Sequence, residues 1–382
     1  MITTMKPVFK LLRTCGLLVV ALMVVSQVKA ATSPSVREFS KTINKQFNIT
    51  SDGLVNLSNK YGKIDIKTWE QKSVRISVKI VVNAKDESAA QTTFDRININ
   101  FYNSASSVGA ETEIADKKSS WWDWGNNSDE FSINYEVYMP ASCNLEVMAK
   151  YCDVFAAAIV GKGEFSIKYG NVKLDGLGED SSIELAYGNG TIRKVRDLGV
   201  NLAYGNLDVG EASDVNIDVR YGNFGVERAG DIISESRYSN FKLGEIREFR
   251  NNGKYDNVEI GFAEEVVCET HYTNVQVGRL SRRLSLDMAY GSAKTMQVDA
   301  GFSEINLNGR YTDFKLYMGN GVACTLDLTG NYADIRLPSS GVTTSYDAQN
   351  GNSHQVRGTM GSGGKSTIIA HMSYGGITVA KN

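Results

Sequence analysis

Few side chains in this 382-residue chain are placed to make or break bonds. Its three histidines, His271, His354 and His371, are far apart, and no Cys or His pair has the short spacing of a metal site. The run Gly361-Ser362-Gly363-Gly364-Lys365-Ser366 ends like a phosphate loop. Thr359 stands where the first glycine of that motif is required, however, and a strand-like segment rather than a helix follows. Residues suited to recognition are better organised. Arg220, Arg237, Lys254 and His271 recur every 17 residues, and Trp121, Trp122 and Trp124 fall within four residues of one another in a polar stretch with Lys117 and Lys118.

The 17-residue spacing of the cations belongs to a longer repeat. Tyrosine recurs at 151, 169, 187, 204, 221, 238, 255, 272, 290, 311 and 332, at intervals of 17 or 18 residues and then 21, and Tyr374 follows after 42. Fixed self-similarity at this period marks a stacked-repeat architecture. Before each tyrosine, alternate positions are apolar, as with Ile183 and Leu185 before Tyr187, which is the period of a strand and puts the tyrosine on the inward face. After it, apolar residues sit three and five positions on, as Leu207 and Val209 do after Tyr204. Inward parity has switched, so the chain must turn a corner or bulge between the two runs.

Turn-forming residues occupy that corner. Gly170, Gly188, Gly205, Gly222 and Gly291 follow the tyrosine directly, where positive φ or a close backbone approach is expected. Asparagine comes next in seven successive units, from Asn171 to Asn274, and stacked in register these amides can bond to one another along the structure. The expected fold is therefore all-β: a parallel β-helix (β-solenoid) of 17–21-residue coils, each about 4.8 Å from the next. Eleven or twelve coils make a rod roughly 55 Å long at that spacing. Scarce proline and 36 glycines fit continuous sheet with tight corners.

In this frame Arg220, Arg237, Lys254 and His271 occupy the outward slot just before the tyrosine on four consecutive coils. Stacked like charges destabilise one another unless offset. Either the acidic slot two residues earlier (Asp218, Glu235, Glu269) offsets them in a solvated lattice, or they form a basic track for an anionic glycan or lipid headgroup. The tryptophans likewise have two readings: a cap folded over the first coil, or exposed rings that stack on sugars or anchor a partner protein.

The flanks read differently. Residues 1–30 have the form of an export signal, with Lys6, Lys10 and Arg13 before an apolar run too short to span a bilayer, and Val28-Lys29-Ala30 at a cleavage point. Residues 31–140 carry strand-like runs at 54–69, 74–83, 97–102 and 131–139, plus one helix over 86–96 that Asp86 or Ser88 can cap, and read as a β domain capping the repeats of 141–340. Tyr61-Gly62-Lys63-Ile64-Asp65-Ile66 already has the corner pattern. Within 341–382, the glycine-rich stretch 341–365 reads as a loop before a last coil at 366–379. Cys143, Cys152, Cys268 and Cys324 fall in different slots of separate coils, which predicts buried free thiols rather than disulfides.

An export signal, the Tyr61–Ile66 motif, the run Ile133-Asn134-Tyr135-Glu136-Val137-Tyr138-Met139-Pro140 and the Tyr-Gly-Asn repeats together resemble a family of exported Bacteroidota β-strand-repeat proteins known as "putative adhesins". The resemblance implies a parallel β-helix at the cell envelope and supplies no active-site residues. A net charge of −2 offers no field for nucleic acid. The function expected is non-enzymatic presentation of a surface to an anionic glycan or an envelope protein, with no cofactor or metal and no transmembrane segment in the mature chain. The alternatives are a carbohydrate-active β-helix enzyme (lyase or hydrolase), by analogy of fold alone, and a structural envelope scaffold.

Overall fold

Each tyrosine corner divides one repeat from the next, and the strands between corners stack in parallel. The computed structural model describes residues 36–116, 130–178 and 180–382. The apolar leader expected at 1–30 and the residues Trp121, Trp122 and Trp124 lie outside the described residues. The described part begins with β1 (Arg37–Asn48), β2 (Leu54–Trp69), β3 (Ser73–Ala84), α1 (Glu87–Phe94), β4 (Ile97–Asn103), β5 (Ser107–Ile114) and β6 (Glu130–Pro140). The helix is capped as expected, the Asp86 carboxylate accepting from the Ala89 N–H at 2.8 Å.

The repeats follow: β7 (Asn144–Ala156), β8 (Gly163–Lys168), β9 (Val172–Leu174), β10 (Ser181–Ala186), β11 (Asn189–Lys194), β12 (Asp197–Ala203), β13 (Asn206–Glu211) and β14 (Asp214–Arg220). From there β15 (Asn223–Arg237), β16 (Asn240–Lys254) and β17 (Asn257–His271) run from one corner nearly to the next, and β18 (Asn274–Val298), β19 (Glu304–Met318) and β20 (Cys324–Arg336) continue through the corners at Tyr290, Tyr311 and Tyr332. Pairing is parallel and offset by one repeat, as in Val215 opposite Ile232 and Phe224 opposite Phe241. Side chains at matching slots therefore lie directly above one another, and the buried rows Ile183–Val200–Ile217 and Leu207–Phe224–Phe241–Val258 line the interior. All-β organisation is thus the observed class.

Both arms of β2 are covered at the N-terminal end. The arm before Tyr61 pairs with β5 and the arm after it with β6, while the opposite side of β2 pairs with β7. The far end departs from expectation twice. Residues 341–365 are not a loop but carry β21 (Val342–Asn350) and β22 (Ser353–Met360), a hairpin laid antiparallel on Cys324–Asn331 of β20. The last strand, β23 (Ser366–Lys381), does not end the stack. It pairs in parallel with both β19 and β20 and so lies between them. The 42-residue interval before Tyr374 is explained by this insertion: the hairpin carries the chain back so that β23 fills the row left between its two predecessors.

Candidate binding surface

The expected inward tyrosine is wrong, and its correction defines the outer surface. Thirteen corner tyrosines, from Tyr61 to Tyr374, have φ between 50° and 61°. An L-residue in this left-handed region breaks strand alternation, so the side chain that parity would send inward points out instead. Inward alternation resumes at the next residue. The tyrosine thus performs the switch itself, and Gly188 after it serves close approach: a Cβ there would lie 1.9 Å from the Gly170 carbonyl oxygen.

The tyrosines are 41–58% exposed and stack in one continuous ladder. Neighbouring rings are nearly parallel, with centroids 4.9 Å apart for Tyr187–Tyr204 and 5.0 Å for Tyr204–Tyr221. Because each interior ring has both faces covered by neighbours, this ridge offers edges and cannot stack flat on a sugar. Beside it runs the expected amide ladder. Asn189 donates to Asn171, Asn206 to Asn189, Asn223 to Asn206 and Asn240 to Asn223, at 2.5–3.2 Å.

On the other side of the tyrosine ridge the register aligns Arg220 with Arg237, Arg237 with Lys254 and Lys254 with His271. The first three are exposed and His271 is half-buried. Arg220 is held by Asp218 at 2.8 Å, as in a charge lattice. Arg237, Lys254 and His271 have no ion-pair partner among the described residues, and the acidic row is interrupted at Asn252, which lies between Glu235 and Glu269.

A groove along the strands that follow the tyrosine was not recognised from sequence. Its volume is about 1310 Å³, and it extends over seven repeats from Lys173 to Gln276, about 29 Å at one strand spacing per repeat. Gly210, Gly244, Gly261 and Gly278 form its floor. Adjacent repeats approach so closely there that a Cβ on Gly244 would lie 2.3 Å from the Glu227 carbonyl oxygen. These glycines recur six residues after their tyrosines, the signal that could have revealed the groove. Lys173, Arg193 and Lys194 crowd one end, and Lys242, Glu227 and Glu259 lie toward the other. Glu211 on the wall is held below the usual carboxylate range by Arg228 and then Lys194.

Inside the stack, three repeats replace aliphatic residues with polar ones. Ser236 donates to Asn251 at 2.9 Å or to Asp256 at 2.8 Å, and Asp256 also accepts from the Ser239 N–H at 2.8 Å. Burial pushes the Asp256 carboxyl above its ordinary 3.8, against the lowering effect of those donors. The four cysteines are free and buried, as expected. His354 contacts Asp347 at 2.8 Å across the hairpin, remote from His271. Among the described residues no group of three or more His, Cys, Asp or Glu is placed to hold a metal, and no helix is long and apolar enough to cross a membrane.

No family model matches the chain, and no curated protein matches it. Solved structures do. A "putative adhesin" from Parabacteroides distasonis is 12% identical with TM-score 0.24, over 73% of this chain and 93% of that one. A "putative lipid binding protein" from the same organism is 11% identical with TM-score 0.26, over 89% and 96%. A "putative cell adhesion protein" from Clostridium sporogenes is 11% identical with TM-score 0.20, over 90% and 100%. At these TM-scores the likenesses carry no assignment, and the functional reading rests on this chain's own surfaces.

Proposed function

We propose that this chain is an exported, non-enzymatic β-solenoid of the cell envelope whose repeats present an extended surface to an anionic glycan. In this reading residues 1–30 direct export, 31–140 cap the stack, and 141–340 supply the binding body. One observation carries the proposal: Arg237 and Lys254 lie in register on adjacent repeats, exposed and with no carboxylate partner among the described residues. Adjacent unpaired cations repel, and an anionic chain laid along the stack relieves that repulsion. An enzyme reading would need carboxylates or a basic residue converging in a cleft, whereas the acids beside the tyrosines (Asp218, Glu235, Glu269) are spread one per repeat.

Binding of the mature chain to an array of acidic and neutral polysaccharides tests this. Neutralising Arg220, Arg237 and Lys254 together should abolish acidic-glycan binding and steepen no other loss. Retained binding removes the basic row from the site, and turnover of a bound glycan replaces the proposal with the enzyme reading.

A further inference from the structure

The two ends of the stack are closed unequally. At the N-terminal end both arms of β2 are paired, and Phe131 covers the outer face of the Tyr61 ring edge-on, with centroids 5.5 Å apart. At the other end β22 covers β20 only over Cys324–Asn331. Ala333–Arg336 pair with β23 on one side, and no strand pairs with them on the other among the described residues. Tyr332 stacks on Tyr374 alone and is the most exposed rung of the ladder, at 58% against 41–50% for the rest. A short parallel edge is thus left open beside an uncovered ring. Open edges pair with other strands unless blunted by charge or cover. The edge strand β1, by contrast, presents Arg37, Glu38, Lys41 and Lys45.

We propose that two copies of this chain pair end to end through this edge, antiparallel and centred on Ile335. The sequence of the edge is complementary to itself. In that register Asp334 of each copy faces Arg336 of the other, Ile335 faces Ile335, and Ala333 faces Leu337. The charged pair occupies exposed positions and the apolar residues partly buried ones, so charge meets opposite charge outside while apolar meets apolar within. Within one copy Asp334 and Arg336 already bond at 2.7 Å, and pairing extends this to a four-charge cluster. At the N-terminal end the free edges belong to β1, which presents Arg37, Glu38, Lys41 and Lys45, and to β4, which carries no charge to meet Asp334 and Arg336, so head-to-tail stacking finds no complementary second edge. The assembly therefore stops at a two-fold dimer instead of growing into a fibre. A four-residue edge is a small contact, which makes the dimer weak and concentration-dependent.

Sedimentation velocity of the mature chain over roughly 1–200 μM should show a monomer converting to a dimer. Asp334→Arg sets like charges opposite each other at both crossings and should weaken association about tenfold or more. Adding Arg336→Asp restores the complement and should restore the dimer. Both side chains are 70–71% exposed, so neither change should alter the fold, which circular dichroism checks. Ile335→Cys should cross-link two copies under mild oxidation, because opposed strand residues lie within disulfide reach. A monomer throughout the range, a dimer indifferent to Asp334→Arg, or a charge reversal that fails to rescue overturns the proposal. So does an Ile335→Cys chain that does not cross-link.

Discussion

The rings of Tyr238 and Tyr255 lie 4.7 Å apart between centroids with an interplanar angle of 0°. Both residues hold φ values, 54° and 61°, that ordinarily disfavour a bulky L-side chain. The left-handed state and the stack explain each other: only that backbone throws the ring outward, and the two neighbouring rings offset its strain. Tyr238→Ala keeps the strain and loses both stacks, at about 0.5–1.5 kcal/mol each, so it should destabilise by about 1–3 kcal/mol. Tyr238→Gly should cost about 1 kcal/mol less than alanine, because glycine adopts this φ freely. Urea unfolding of the two variants decides it, and an alanine variant as stable as the glycine one refutes the strain argument.

Close packing at the corner predicts a graded response. A Cβ on Gly188 meets a carbonyl oxygen at 1.9 Å, whereas on Gly222 the nearest is 2.9 Å. Gly188→Ala should therefore lower the melting temperature distinctly more than Gly222→Ala. Equal losses would mean that the stack opens as easily at one corner as at the other.

Asp256 is 4% exposed, and burial raises its carboxyl pKa above 3.8. The folded chain then holds this proton where the unfolded chain has released it, so the stability contributed is full below 3.8 and is lost as pH rises through the folded value. Asp256→Asn removes that slope while keeping an acceptor for the Ser239 N–H. The stability advantage of the variant should grow from about pH 4 to about pH 7 in urea titrations. An advantage that shrinks with pH would reverse the assignment.

Burial pushes the thiols of Cys152 and Cys268 up to about 12 and that of Cys324 to about 11, and Cys143 is raised too. At about pH 8 all four should resist a disulfide reagent in the folded chain from Ala31 and react together on denaturation. A thiol that reacts early would locate a local opening of the stack.

Much of the fold was legible because stacked repeats write their geometry into the sequence. Ile217 and Val219 before Tyr221, and Phe224 and Val226 after it, announce two strand runs with a parity switch between them. Asn189 and Asn206 announce their own hydrogen bond by sharing a slot. The corner of Tyr61 was readable ahead of the regular repeat for the same reason. The groove was less visible, since Gly210, Gly244, Gly261 and Gly278 declare small size but not the close approach of adjacent repeats beneath it. For the candidate site, the spacing of Arg220, Arg237, Lys254 and His271 foretold their alignment. That Asp218 offsets Arg220 was one of its two readings, but it did not foretell that Arg237 would be left unpaired.

Periodicity alone determined that this chain is all-β, that its strands lie one repeat apart, and which aliphatic side chains between the corners line the interior. Those properties follow from local alternation, which any strand must obey. Tertiary structure alone decided that the tyrosines face outward, because φ at one residue is a backbone state that residue type does not encode. It alone placed β23 between β19 and β20, a pairing between segments more than 40 residues apart in which hydrogen bonding to two neighbours outweighs chain order.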